Sequence, residues 1–321
     1  MANLEEVIVT TLFSQKGKTA DTILKHHPLL NLLKENGRYK SRSLGYEIRK
    51  SVRYNQTVQG GFFTGYESFN LDAQQDLTAF RFPIKQCYEP FALSGREKRA
   101  NRDEEQLLDV VDEKMEATMS RLKNTVSTSI KGDGTGYGGK EFDGVAKMIS
   151  KTPTLSTYGQ IDRTNSNNTF ARNQINNVTL TASNVQDEIT EAMLPITRGM
   201  DWPDCGLAGP TAWKLLHKSL TAIQRINDQS KTGKGGYKEL MYNGCKFWYD
   251  GGYGGSTIGA NYIYLMNSEY ITFEVDSQAD FVPLAPKMDR PVDQDAFFTI
   301  LMVEGNLCCS APALQSLIFD A

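Results

Sequence analysis

Three observations place this 321-residue chain in the α+β class. They are one very long amphipathic helix, a pair of strand-like runs around an aromatic tip that precede it, and an alternation of helices and strands that follows it. The helix carries the most information. Between Asn101 and Lys131, apolar residues fall at Leu107, Val111, Met115, Met119, Leu122, Val126 and Ile130, the three-or-four spacing of one helical face. That stripe is the expected core contact of a spine helix over 101–131. Asn101 with Glu104 reads as a capping pair, and Asp103, Glu104 and Glu105 suit the positive end of the helix dipole. The glycines of KGDGTGYGG, Lys131 to Gly139, make continued helix costly. At 1.5 Å per residue such a helix is roughly 40 Å long, which is a rod around which a protein can be organised.

Ahead of the helix, residues 1–38 form an arm with a leucine-rich piece, TADTILKHHPLLNLLKENG, broken at Pro28. Its apolar positions, Leu29 and Leu30 among them, need a surface to cover, either a neighbouring subunit or the chain's own domain. From Tyr39 to Leu93 the period changes to two. Tyr46, Ile48, Val52 and Tyr54 face Phe80, Phe82, Ile84 and Tyr88 in a long hairpin. Its glycine-bearing tip carries Phe62, Phe63, Tyr66 and Phe69. Two strands offer little surface on which to bury four aromatics. The tip therefore packs on another subunit or folds back on its own domain, and pattern alone leaves both open.

Beyond the glycine break, Phe142 to Ile149 reads as a short helix and 152–184 as an Asn-, Thr- and Ser-rich connector. Helical periodicity returns in SNVQDEITEAMLPITRG and in PTAWKLLHKSLTAIQRIND, where Pro210 suits a first helical turn and Trp213, Leu216, Leu220, Ile223 and Ile226 form a stripe. Strand-like runs, GCKFWYDG and NYIYLMNSEYITFEV, alternate with these helices in a second, mixed domain. The chain closes in DAFFTILMVEGNLCCSAPALQSLIFDA, read as two strands turning at Glu304-Gly305-Asn306 and an extended end, the strands pairing beside the spine helix.

Composition narrows the function. A net charge of -3 and a pI near 5.8 give no excess of basic residues with which to grip nucleic acid. No apolar run approaches the roughly 18 residues of a membrane span, and the N-terminus has no basic region of a signal peptide. The five cysteines lack CxxC spacing, and the three histidines have no metal-ligand spacing with them. Gly134, Gly136 and Gly139 spell GxGxxG, but a helix ends into this loop instead of opening from it, so the match is accidental. No phosphate loop or nucleophile elbow is present, and no catalytic, cofactor-binding or metal-ligating residue is nominated.

The order of arm, hairpin, spine helix, GDGTG break, mixed domain and returning strands resembles the major capsid proteins of tailed bacteriophages, the Hong Kong 97-type capsid fold. The resemblance covers essentially the whole chain and is carried by KGDGTGYGGKEFDGVAKMI, TYGQIDRTNSNNTFARNQ, CGLAGPTAWKLLHKSLTAIQRI and EGNLCCSAPALQSLI in that order. It implies an N-terminal arm over 1–38, an extended hairpin loop over 39–93, a peripheral domain over 94–183 and 283–321, and a mixed α/β axial domain over 184–282. It also implies a non-enzymatic protein that assembles with itself into hexamers and pentamers of an icosahedral head around double-stranded DNA, without sequence-specific binding and with no membrane. On this resemblance the site of action is the virion, with assembly in the host bacterial cytoplasm. The partners implied are a portal and, because only 38 residues precede the hairpin, a separate scaffolding protein, with a decoration protein as a further candidate. Phe62, Phe63, Tyr66, Phe69, Leu29 and Leu30 are the expected contacts between subunits. Some relatives join a hairpin lysine to a neighbour covalently. The tip from Gln56 to Asp72 contains no lysine, so no such link is expected. The competing readings are an encapsulin, a bacterial shell of the same fold around an enzyme cargo, and a cytoplasmic α/β enzyme using the Gly251–Gly255 loop for phosphate.

Overall fold

The computed structural model describes residues 28–54, 62–66, 76–100, 104–224, 239–249, 251, 258–284 and 294–320, with side chains for all of these except 98–100, 104–113, 221–224 and 239. Helix α1 (Pro28–Glu35) leads into β1 (Tyr39–Arg42), the hairpin strands β2 (Glu47–Arg53) and β3 (Leu77–Pro83), and β4 (Lys85–Ser94). Short α2 (Gly95–Ala100) precedes the spine helix α3 (Glu104–Lys131), which is followed by α4 (Val145–Met148), the two-residue strands β5 (Thr157–Tyr158) and β6 (Ile161–Asp162), and β7 (Gln174–Asn177). Then come α5 (Val185–Met193), β8 (Cys205–Ala208), α6 (Pro210–Gln224), β9 (Glu239–Tyr242), β10 (Cys245–Tyr249), β11 (Ile263–Met266), β12 (Ile271–Asp276), β13 (Val282–Pro283), β14 (Ala296–Cys309) and β15 (Ser316–Phe319).

The strands form two principal sheets. One runs β1-β12-β14-β13 with β4 on the other side of β14, and the second runs β7-β15-β11-β8-β10-β9. Apolar periodicity explains how each is covered. In the second sheet β8, β11 and β15 are buried at every position, so both faces are covered. One face meets Val185, Ile189 and Met193 of α5 and Ala212, Leu216 and Leu220 of α6. The opposite face, through Leu207, Trp248, Tyr264 and Leu317, enters a core shared with the first sheet, α1 and the spine helix.

The spine helix behaves as its stripe requires. Met115, Leu122, Val126 and Ile130 are buried, Met119 is partly buried against the same core, and the helix lies along β4. Leu107 and Val111 lie on the helix with side chains outside the described ones, and Asn101, expected as a cap, lies outside the described residues. Arg121 Nε reaches Glu89 of β4 at 2.6 Å, and Lys114 Nζ reaches Glu97 of α2 at 2.6 Å. The helix stops where Gly144 folds back over its end. A Cβ there would stand 2.3 Å from the Gly132 carbonyl oxygen, so only glycine fits.

Three expectations are corrected. The chain end is not two strands with a turn at Glu304-Gly305-Asn306 but one 14-residue strand, β14. Gly305 is there for close approach: a Cβ would lie 2.1 Å from the Glu274 carbonyl oxygen of β12. The hairpin is shorter than 46–54 against 80–88. Tyr46 precedes β2 and is exposed, Ile84 lies between strands, and Tyr88 belongs to β4, opposite Met302 in the first sheet. Finally, 152–184 is more than a connector, since β7 within it pairs in parallel with β15. The run NYIYLMNSEYITFEV does make strands, but β11 joins one sheet and β12 the other. The turn between them is capped by Asn267 Oδ1, which accepts from Glu269 N at 3.0 Å.

Truncating Leu122 tests the spine packing. Leu122→Ala is expected to lower unfolding free energy by about 3 kcal/mol in urea denaturation, and Leu122→Asp to give insoluble protein. Soluble Leu122→Asp with unchanged melting would place the stripe away from the core. Gly305→Ala, which drives a methyl group into the backbone of β12, is expected to abolish soluble expression or to lower the melting temperature by at least about 5 °C, on the order of 2 kcal/mol or more.

Candidate functional site

The hairpin divides into a buried root and an exposed tip. On the inner face of the root, Ile48, Phe80 and Phe82 are buried. The rings of Phe80 and Phe82 lie 5.7 and 5.2 Å from that of Tyr158. Tyr158 is held in turn by its hydroxyl, which accepts from Cys309 N at 2.9 Å, and by the buried Arg163, whose guanidinium stacks on the ring at 4.7 Å. Burial pushes the Arg163 guanidinium down to about 10, and one of its nitrogens donates to the Met148 carbonyl at 2.9 Å.

Charged groups fix the same root. Glu274, in the middle of β12, is 0% exposed and pairs with Lys50 of β2 and Arg42 of β1. Next to it, Asn306 of β14 donates to the Pro83 carbonyl at 2.9 Å and to Asp143 Oδ2 at 3.1 Å, and accepts from Asp143 N at 2.8 Å. Asp143 also receives Lys85 at 3.0 Å and Lys147 at 2.6 Å. The hairpin, the segment after the glycine break and strands β4, β12 and β14 thus meet at two adjacent polar clusters, each with its charges paired.

The tip is different. Phe62 and Tyr66 are fully exposed and Phe63 is 60% exposed. Phe69 lies outside the described residues. Leu29 and Leu30 correct the sequence reading: both are 0% exposed and sit in the chain's own core through α1, which leaves a neighbour nothing to touch. A second aromatic surface was not foreseen. Between β4, the spine helix and the glycine break lies a groove of about 510 Å³, lined by Tyr88, Glu89, Pro90, Thr125, Tyr137 and Lys140. Tyr88 and Tyr137 are exposed, and Tyr137 is held at φ 51°, a left-handed conformation costing about 1–2 kcal/mol for a residue with a Cβ. The available signal was the tyrosine set among the glycines of GTGYGG.

Reactive chemistry is sparse. Burial pushes the thiols of Cys205, Cys245 and Cys308 up, Cys309 to about 12 and the half-buried Cys87 to about 11, so these groups stay protonated. His217 stacks on Trp213 with ring centroids 5.3 Å apart. Among the described residues no three His, Cys, Asp or Glu side chains converge in a metal-binding cluster. No described helix is long and apolar enough to cross a membrane.

No protein-family model matches the chain, and no curated protein matches it in sequence. Solved structures do match. The capsid asymmetric unit of cyanophage A-1(L) superposes with a TM-score of 0.63 at 14% identity, over 88% of this chain and 90% of that one. The capsid of Myoviridae phage XM1 gives 0.55 at 10% identity, over 90% and 92%. A virus-like particle from Pyrococcus furiosus gives 0.51 at 10% identity, over 95% and 96%. The chain therefore has the Hong Kong 97-type capsid fold along nearly its whole length, as its motif order implied.

The root network yields a prediction. Lys50→Met leaves the buried Glu274 carboxylate with Arg42 alone and is expected to cost on the order of 3 kcal/mol. The double variant Lys50→Met with Glu274→Leu is expected to recover most of that loss in urea denaturation. A double variant no more stable than Lys50→Met would show that the uncompensated charge is not what the single change exposes.

Proposed function

We propose that this chain is the major shell protein of a tailed-phage head, assembling with itself into hexamers and pentamers of a closed icosahedral container for double-stranded DNA. The observation that carries the reading is the capsid fold over some 90% of the chain, joined to an exposed aromatic tip on a rigidly rooted hairpin. In this reading 1–38 is the arm, 39–93 the extended loop, 94–183 with 283–321 the peripheral domain, and 184–282 the axial domain. Phe62 and Tyr66 are fully exposed apolar surface with the partly exposed Phe63 between them, and the Tyr88–Tyr137 groove of a neighbour offers the tip an aromatic seat. A contact between two different patches is heterologous and closes into rings when its rotation permits, as capsomers require.

The role is structural and non-catalytic. A mild negative charge agrees with a container whose packed DNA must remain free to leave. A separate scaffolding protein, a portal and a decoration protein are the partners this role would bring. The contents of the purified particle distinguish this reading from an encapsulin-type shell: nuclease-protected DNA marks a phage head, an enzyme cargo an encapsulin.

Expression with the neighbouring genes is expected to give megadalton particles in size-exclusion chromatography and closed shells in electron microscopy. A monomer or dimer at high concentration under those conditions would exclude the role. Replacing Phe62 and Phe63 by serine is expected to leave the melting temperature of the unassembled subunit within about 2 °C while shell yield falls sharply, each anchor contributing on the order of 2 kcal/mol. A subunit that melts many degrees lower would assign these rings to its own core.

A further inference from the structure

Four described residues other than glycine have a positive φ: Tyr137, Gln160, Asn243 and Phe281. Three of them have a reason within the subunit. Gln160 forms with Gly159 the two-residue turn between β5 and β6, which calls for a positive φ at both positions. Asn243 precedes Gly244 in the turn between β9 and β10, and asparagine tolerates this region. Phe281 is 1% exposed, and its ring fills part of the core. Tyr137 has no such reason. Its side chain is 78% exposed, and among the described residues it pairs with no other ring and its hydroxyl makes no hydrogen bond. The backbone there is nonetheless fixed, since Gly139 N donates to the Thr135 carbonyl at 3.0 Å and Asp133 Oδ1 accepts from Thr135 N and Oγ1 at 3.0 and 2.6 Å. Glycines stand at 136, 138 and 139, so a tyrosine is held where glycine would be relaxed, and the free subunit gains nothing from its ring.

We propose that Tyr137 is kept for a neighbour: with Tyr88 it clamps an aromatic ring of the Phe62–Tyr66 tip of a second copy of this chain, and that contact offsets the backbone strain only in the assembled state. Tyr88 and Tyr137 are both exposed and line one groove, together with Pro90 and the spine residue Thr125. Such a seat admits the offset or edge-on pairing that aromatic rings favour. Charge agrees with this occupant. Lys140 is exposed on the groove wall and has no carboxylate partner among the described residues. The two acids that share the wall are engaged elsewhere: Glu89 bonds Arg121, and Glu141 lies against Gly136, where a Cβ would stand 2.3 Å from its carboxylate. Between positions 54 and 76 the charged residues are Glu67, Asp72 and Asp76, all acidic, so the tip brings acids and no base to the unpaired cation. The assignment rests on the shell role proposed above and adds to it a residue whose effects on subunit and shell have opposite signs.

Three substitutions at this one position separate strain from contact. Tyr137→Asn relieves the left-handed backbone and removes the ring, and on expression with the neighbouring genes it is expected to raise the melting temperature of the unassembled subunit by about 2 °C while lowering shell yield at least about fivefold. Tyr137→Ala keeps the strained Cβ without the ring, so yield is expected to fall as far with melting unchanged to within about 1 °C. Tyr137→Phe is expected to recover most of the yield lost in Tyr137→Ala. The seat itself is read by cross-linking: Thr64→Cys with Lys140→Cys, in a Cys87→Ser background, is expected to give reducible multimers in oxidised particles, at least about fivefold above Thr64→Cys with Leu155→Cys. Tyr137→Asn that assembles as well as the unsubstituted chain, a Tyr137→Asn subunit that melts lower, equal linking at both positions, or a fast-migrating monomer that places the tip on its own chain would each overturn the proposal and leave the shell role standing. An unsubstituted chain that forms no shell removes the shell role itself, and this contact with it.

Discussion

Burying the Glu274 carboxylate is the constraint on which the subunit's geometry depends. A lone charge in an apolar strand interior costs more than a domain of this size can spare, so its partners must be delivered to it. They come from β1 and β2, the two strands flanking the turn into the hairpin. The hairpin's direction is thereby fixed from below by charge and, on its inner face, by Phe80 and Phe82 against Tyr158. Asn306 and Gly305 complete the arrangement, one by bonding the end of β3 to the glycine break, the other by letting β14 close on β12. A tip that projects beyond its own shelter can be presented at a defined angle only because its root is held in this way.

The two sheets share one core, and after the long passage from β4 to β7 the chain crosses between them twice more, at 268–270 and at 312–314, each time through a single 3-10 turn. Short crossings leave no flexible linker in which the sheets could drift apart. β11 and β12 are separated by four residues yet belong to different sheets, so a load on one is transmitted through a few bonded residues to the other.

What the sequence made legible follows from how its signals arise. The spine helix could be read because its apolar stripe, of which Met115, Leu122, Val126 and Ile130 are buried, repeats over several turns. β14 was divided in two because Glu-Gly-Asn looks like a turn, while its actual reason, backbone proximity to Glu274 across about thirty residues of sequence, leaves no local trace. The exposure of Phe62 and Tyr66 was legible from aromatics set on a glycine-bearing tip, whereas the burial of Leu29 and Leu30 in the chain's own core was not, since amphipathicity says that a face is covered and not by what. Glu274 carried a signal that went unused: a carboxylate within ITFEV, on a strand otherwise apolar, already calls for a buried cation.

Strand β4 pairs along its whole length with β14, Ser94 opposite Ala296 and Lys85 opposite Gly305, and this has a consequence in time. Ribosomes add about 5–20 residues per second, so β4 emerges roughly 10–40 s before the strand that completes its sheet. Throughout that interval the hairpin is made but its root is unfinished, because Glu274, Gly305 and Asn306 are still to be translated. A chain whose β14 is still to be made therefore carries its hairpin without a finished root. Pairing between strands about 200 residues apart in sequence makes the root of the hairpin one of the last parts of this fold to form.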